Sequence, residues 1–283
     1  MARNNKNRFS TVPDQNPSNV GLSDPNVFSF TTPTEIVDLP SGGAFYPAGH
    51  SLHGVDAVEI KFMTAKEEDI LVNKAYLRKG DVLDRLLQSV IVNKSIDVGT
   101  LLVGDKNALV YATRITGFGS SYTTNIICPS CSTTSEYEFD LEDSYTLKKV
   151  PEEIENVTPT TRGTFIIEAL PKTEAEVEVK LLSSDDEKHR MKNVENKEKN
   201  NISYSFVREY MKSYIVAVNK EQSTSYIDSF LENAPSSDTR YLRKIINTIT
   251  PNAALTHDYD CQDCGTETTL EVPLTAEFFW PQR

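Results

Sequence analysis

Cys128-Pro129-Ser130-Cys131 and Cys261-Gln262-Asp263-Cys264 hold the only four cysteines of the 283-residue chain, in two identical C-x-x-C spacings. Each pair sits between runs of strand character. Tyr122 to Ile127 leads into the first and Thr134 to Phe139 leads out; Leu255 to Tyr259 and Thr268 to Val272 frame the second. A strand, a tight thiolate turn and a return strand make half of a zinc ribbon, and two halves supply the four sulfurs of a tetrahedral site. Residues 132 to 260 lie between the halves. A site built from Cys128, Cys131, Cys261 and Cys264 therefore ties the middle of the chain to its end.

A structural zinc, disulfides or redox dithiols, and free structural thiols compete for these residues. A disulfide inside one C-x-x-C closes a very short loop and adds only about 2 kcal/mol on the loop-entropy model. Thiolates on zinc contribute on the order of 10–16 kcal/mol of folding free energy near neutral pH. Met1-Ala-Arg-Asn-Asn-Lys-Asn-Arg8 has no apolar signal core. The expected folding compartment is a reducing cytosol, where disulfides rarely persist. Redox C-x-x-C motifs usually open a helix, whereas both pairs here lie in hairpin contexts. The expected cofactor is a structural Zn2+ in a closed shell, with no open position for substrate.

Composition sets the surrounding limits. Hydrophobic residues make up 38% and charged residues 25%, ordinary for a globular chain with enough material for one large or two smaller domains. No apolar run approaches the roughly 18 residues of a membrane span. Net charge is −12, from 29 basic and 41 acidic residues, with no basic stripe interleaved with aromatics. A phosphate backbone repels such a chain, so neither nucleic acid nor membrane is an expected partner.

Outward from the knuckles, the sequence divides into four parts. Residues 1–33, rich in Asn, Ser, Thr and Pro, read as a disordered arm or as one that orders against a neighbouring subunit, with Phe28 and Phe30 as anchors. Residues 34–140 read as an N-terminal α+β domain carrying the first knuckle. Val55 to Phe62 alternates like a strand. Thr64-Ala-Lys-Glu67 has capping-box spacing and predicts a helix to about Arg78, stopped at Gly80. Asp81 then caps a second helix bearing Leu83, Leu86, Leu87, Val90 and Ile91, completing a helical hairpin over 65–92. Asp97 to Leu102 reads as a helical turn ended at Gly104, and Ala108 to Thr116 as a β run before a turn over Gly117 to Ser121.

A mixed α/β insertion follows over 141–253. Gly163 to Leu170 and Glu176 to Leu182 have strand character. Ser183 to Asn201 is a mixed-charge stretch, either a solvated helix or a flexible excursion. Ile202 to Val218 reads as a helix striped with Phe206, Tyr210 and Tyr214. Tyr226 to Leu231 reads as a short helix, and Tyr241, Leu242, Ile245, Ile246 and Ile249 make the last one amphipathic. Residues 254–283 bring the second knuckle and the aromatic tail Phe278-Phe279-Trp280-Pro281, which either closes the core or anchors an interface. The expected fold class is α+β: a helical hairpin on a small antiparallel sheet, with a split four-cysteine zinc ribbon and a mixed α/β insertion.

Other candidate chemistry is thin. His50 and His53 share a Gly-flanked loop without a carboxylate cluster, which favours ordinary loop histidines. His257 lies four residues before Cys261, but four thiolates already fill a zinc shell, leaving it at most a supporting place. Asp185-Asp186-Glu187 could hold a divalent ion, although a charge run beside Lys188 and Arg190 is usually a solvated face. No nucleophile elbow, HExxH, Walker A or dinucleotide fingerprint occurs, so an enzyme is not expected.

The combination of stretches is more specific than any one of them. Leu39-Pro-Ser-Gly-Gly-Ala-Phe-Tyr-Pro47, Met63-Thr-Ala-Lys-Glu-Glu-Asp-Ile-Leu71, Leu101-Leu-Val-Gly-Asp105 and Arg114-Ile-Thr-Gly-Phe-Gly-Ser-Ser-Tyr122 precede Cys128-Pro-Ser-Cys131, and a second C-x-x-C and Phe-Phe-Trp-Pro281 close the chain. Together they resemble the baseplate hub subunit family of T-even-type contractile-tailed bacteriophages, over 36–140 and 254–281 and more loosely between. The resemblance implies a non-catalytic structural or assembly protein of the virion tail baseplate, present in the host cytoplasm during assembly. Its implied partners are other baseplate and tail proteins in a large hetero-oligomer. A zinc-ribbon protein of nucleic-acid metabolism is the alternative, and a metal-dependent hydrolase a more distant one.

Overall fold

The computed structural model describes residues 31–273 together with Phe278 and Phe279. The expected anchors Phe28 and Phe30, and Trp280 of the tail, lie outside the described residues. Antiparallel strands β1 (Thr34–Asp38) and β2 (Ala57–Lys61) open the fold, paired from Thr34↔Lys61 to Asp38↔Ala57. Val58 and Ile60 face inward, as the alternation predicts. The loop between the strands folds back tightly at Gly43. Its φ is +71°, and a Cβ there would lie 2.3 Å from the Val55 carbonyl oxygen, so only glycine fits.

The expected helical hairpin is instead three short helices: α1 (Ala65–Leu71), α2 (Lys74–Lys79) and α3 (Val82–Val90). Asn73 causes the break. Its side chain accepts the Ala75 amide at 2.9 Å and starts a new helix where the apolar spacing suggested continuity. Gly80 ends α2 in the left-handed conformation, as predicted, while Asp81 sits at the next N-cap and uses its carboxylate on Arg85 at 2.9 Å. The turn expected over 97–102 is a 3-10 turn at Val98–Thr100.

The largest departure follows. Ala108 to Thr116 is no strand; it belongs to α4 (Val103–Phe118), which also takes in Gly104, the residue expected to end the preceding turn. Val110, Thr113, Ile115 and Thr116 give the stretch its β propensity. Yet Ala108, Leu109, Val110, Tyr111, Thr113 and Arg114 are all buried, on several sides of the helix. A helix surrounded by core loses the one-sided pattern by which helices are recognised. Thr113 is satisfied within it, its hydroxyl donating to the Leu109 carbonyl at 2.7 Å.

Hairpin β3 (Ser121–Ile127) and β4 (Thr134–Asp140) comes next, then α5 (Leu141–Ser144) and β5 (Tyr145–Lys148). A four-stranded antiparallel sheet is assembled from β6 (Val157–Pro159), β7 (Thr164–Ile167), β8 (Val177–Lys180) and, after helices α6 (Ser184–Lys199) and α7 (Phe206–Tyr214), β9 (Ile215–Val218). The mixed-charge stretch is thus a helix, started by a capping box between Ser183 and Asp186. The helix expected over 202–218 is shorter: Ser205 caps it, and at Ile215 the chain becomes extended because Ile-Val-Ala-Val pairs with β8. Helices α8 (Thr224–Asn233) and α9 (Ser236–Ile249) lie where their patterns place them. Finally β10 (Asn252–Asp260) pairs on one side with β11 (Glu267–Glu271) and on the other with β5.

One apolar cluster runs through the whole arrangement, from Val37 and Leu39 through Leu109, Phe139 and Val177 to Ile246, Leu255 and Phe278. α4 packs along β10, with Gly104 at the contact. A Cβ on Gly104 would lie 2.1 Å from the Pro251 carbonyl oxygen. That close approach steers the start of β10, and so the second cysteine pair, back toward the first.

Candidate metal centre

Each cysteine pair occupies the turn of an antiparallel hairpin. Beyond the last strand pairs, Ile127↔Thr134 and Asp260↔Glu267, both turns carry the same hydrogen bonds. The Cys128 amide donates to Thr133 O at 2.9 Å and the Cys261 amide to Thr266 O at 3.1 Å. The Ser132 amide returns to Cys128 O at 2.9 Å and the Gly265 amide to Cys261 O at 2.8 Å. Ser132 and Gly265 both have positive φ, 59° and 67°. The two turns are therefore one motif built twice.

Aromatic packing brings the hairpins together. Tyr137 of β4 stands edge-on to Tyr259 of β10, with ring centroids 5.8 Å apart, and its hydroxyl lies 2.9 Å from His257 Nε2. Inward alternation of Tyr122, Thr124 and Ile126 on β3 seats the first hairpin on the core. As a result all four sulfurs lie within 4.8 Å of one another, unbridged. Cys128 Sγ is 3.8 Å from Cys264 Sγ, and Cys131 Sγ is 3.7 Å from Cys261 Sγ. A tetrahedron of metal–sulfur bonds of about 2.3 Å has edges of about 3.8 Å; two of the six sulfur–sulfur distances have that length, and all six lie within 4.8 Å.

The surroundings act unevenly on the thiols: against the pull of the Cys131 amide, burial and the neighbouring Cys131 and Cys261 sulfurs push the Cys128 thiol up to about 11. The Tyr259 hydroxyl, with the Cys264 and Asp263 amides, pulls the Cys261 thiol down to about 6. The Thr133 hydroxyl, 3.4 Å from Cys131 Sγ, draws that thiol below its ordinary value as well, and Thr266 Oγ1 takes the equivalent place 3.2 Å from Cys264 Sγ. Cys128 and Cys261 are buried while Cys131 and Cys264 are exposed, so the cluster sits at the edge of the core. Among the described residues it is the only group of three or more His, Cys, Asp or Glu side chains placed to hold a metal ion.

The remaining candidates have ordinary employment. His50 stacks on Tyr46 at 4.5 Å, accepts the Leu52 amide and meets Thr100 Oγ1 at 2.8 Å, while His53 Nδ1 meets the Tyr46 carbonyl at 2.7 Å. His257 packs against Tyr137 and Phe139 beside the cysteine hairpins and contributes no donor to the cluster. Asp186 caps α6 and pairs with Lys180 at 2.6 Å. Phe278 and Phe279 are buried, Phe278 standing edge-on to Tyr111 and Tyr122, so this part of the tail closes the core.

Three buried charges escape a reading of the sequence. Asp105, at the start of α4, accepts the Ser41 amide at 2.9 Å, the Ser41 hydroxyl at 2.6 Å and the Tyr46 hydroxyl at 2.7 Å. Both hydroxyls accept backbone amides in turn, from Gly43 and Leu102, which leaves them only their protons to give to the carboxylate. Burial pushes this carboxyl above its ordinary value; the three donors oppose that. Asp238 accepts the Lys172 and Thr173 amides and the Thr173 hydroxyl, pinning α9 to the turn before β8. Arg114 reaches the carbonyls of Phe278, Gly119 (2.6 Å) and Ser121 (3.1 Å). The only signal for the first was two stretches singled out separately, Leu39 to Pro47 and Leu101 to Asp105, which prove to be the two halves of one lock.

With this geometry in place, comparison with known families gives one match: the model described as T4 bacteriophage base plate protein covers residues 32–280. No curated protein and no solved structure matches the chain.

Proposed function

The chain belongs to the T4 bacteriophage base plate protein family, and from that membership we propose that it is a non-catalytic scaffold of the baseplate hub, cross-linked by a zinc ion on Cys128, Cys131, Cys261 and Cys264. Membership makes it a structural component of the phage tail, associating with other tail proteins. No helix among the described residues is long and apolar enough to cross a membrane. The hub assignment draws on the stretches from Leu39 to Tyr122 and on the aromatic end of the chain. Support for the metal is the convergence of four sulfurs at 3.7 and 3.8 Å from turns 130 positions apart.

Zinc suits the donor set, since four thiolates make a closed tetrahedral shell. When bound, the ion would neutralise the thiolates and fasten the two hairpins together. The protein's own residues do the rest: Tyr259, Thr133 and Thr266 hold the sulfurs, and Tyr137, Phe139 and His257 hold the hairpins.

Two experiments test this. Elemental analysis of the purified chain should find one zinc per molecule, and Cys261→Ser should lose the metal together with several kcal/mol of stability; a full-strength fold with no metal in the wild type refutes the zinc. Infection with phage lacking this gene should give baseplate intermediates without a completed hub. Complete, contractile tails from the same infection would overturn the hub assignment and leave the metal site standing.

A further inference from the structure

α9 turns Leu242, Ile246 and Ile249 into the core. Its opposite face is exposed at positions 236, 240, 243, 244 and 247, a three- and four-residue spacing that groups Arg240, Arg243 and Lys244 between Ser236 and Asn247. The helix holds one acidic side chain, Asp238, which is buried and bound to the Thr173 amide and hydroxyl. From β5, Lys148 donates its Nζ to the Asn247 carbonyl and sets a fourth cation beside the last turn.

No carboxylate answers these four charges. Among the described residues none of Arg240, Arg243, Lys244 and Lys148 forms an ion pair. Elsewhere exposed cations on helices are commonly matched: Arg85 by Asp81 on α3, Lys199 by Glu195 on α6, Lys212 by Asp228 between α7 and α8. Arg243 Nε reaches only the Thr239 carbonyl of its own helix, at 3.4 Å. Burial draws Lys148 below its ordinary value, with no acidic neighbour opposing it. This uncompensated positive face stands out in a chain whose net charge is −12. Tyr241, between the arginines in sequence, is half-buried against the core and offers no open ring beside them.

We propose that the exposed face of α9 docks an acidic helix of a partner protein, whose carboxylates meet Arg240, Arg243 and Lys244. At about 1.5 Å per residue the face from Arg240 to Asn247 is roughly 10 Å long, two turns of a facing helix. Carboxylates three and four residues apart on that helix repeat at the same interval as the cations. Each free guanidinium edge accepts a carboxylate bidentately. A nucleic-acid strand is a long polyanion; it would meet no aromatic platform here and repulsion from the rest of the surface. The choice of a protein occupant rests on the tail-scaffold reading; the unpaired charge of α9 does not.

Fluorescence anisotropy of a labelled alanine-based helical peptide, with glutamates spaced three and four residues apart, tests the proposal on the full chain at low salt. The peptide should bind and weaken with added salt. Joint Arg240→Gln and Arg243→Gln replacement should cost about tenfold in affinity, and the two lysine replacements less. Lys192→Gln, which removes an exposed cation from α6, should change nothing. Unchanged thermal unfolding in each variant separates lost docking from lost folding, and failure of the hub assignment would leave this binding intact. No binding, equal losses from Lys192→Gln, or equal binding of single-stranded DNA would overturn the proposal. So would self-association of the chain that the double arginine variant abolishes, since the face would then belong to a second copy.

Discussion

Glu67→Gln should remove one component of the stability that the fold loses in acid, below about pH 4.5. The Glu67 side chain is 0% exposed and joins three elements. Its carboxylate accepts Lys61 Nζ from β2 at 2.8 Å, the Ser89 hydroxyl from α3 at 2.6 Å, and both the amide and the hydroxyl of Thr64, at 3.0 and 2.6 Å, at the start of α1. Burial alone would push the carboxyl up; the bonds from Lys61, Ser89 and Thr64 override it and bring the value from 4.5 down to about 2. At about 1.4 kcal/mol per pH unit between the two values, the ionised group contributes roughly 3 kcal/mol. The folded value is the lower one, so the contribution is complete above about pH 4.5 and disappears as the pH falls through about 2. The replacement side chain would also bring its NH2 group up against the Lys61 ammonium, which has no lone pair to accept it. Denaturant unfolding of wild type and variant from neutral pH to about pH 3 is the assay, and the cysteines, titrating equally in both proteins, cancel in the difference. The gap should be near 3 kcal/mol at neutrality and less than half that by about pH 3. A gap that stays constant across this range refutes the reasoning.

Asp105→Ala removes the shared acceptor of Ser41 and Tyr46 and should cost about 4 kcal/mol, with Asp105→Asn milder; thermal or denaturant unfolding measures both. Gly104→Ala forces a methyl against the Pro251 carbonyl and should cost more than about 2 kcal/mol. Because that contact steers β10, zinc titration of Gly104→Ala should also show weakened metal uptake.

Local chemistry is legible in the sequence, and long-range convergence is not. Hairpins around Cys128 and Cys261, the capping box at Thr64, the stop at Gly80 and the apolar face of α9 are encoded within a few residues of where they act. Residues 108 to 116 read as a strand because β-branched side chains at a site buried on several sides mimic one, and burial outweighs intrinsic propensity. The end of α7 at Tyr214 depends on β8 being available to pair, which no window around Ile215 contains. Asp105 and Ser41 meet across 64 positions, and Arg114 and Phe278 across 164. The four cysteines are an exception among distant contacts because paired C-x-x-C spacings advertise a cluster by residue type as well as by position.

The long separation of Cys261 and Cys264 from Cys128 and Cys131 also governs timing. A nascent chain carries its first pair of sulfurs out of the ribosome long before the second pair exists, so two thiols wait while the intervening sheet and helices form. Any product of premature termination before residue 261 keeps a half-site and an exposed hairpin turn. Closure of the four-sulfur cluster can therefore occur only after translation has passed the second turn.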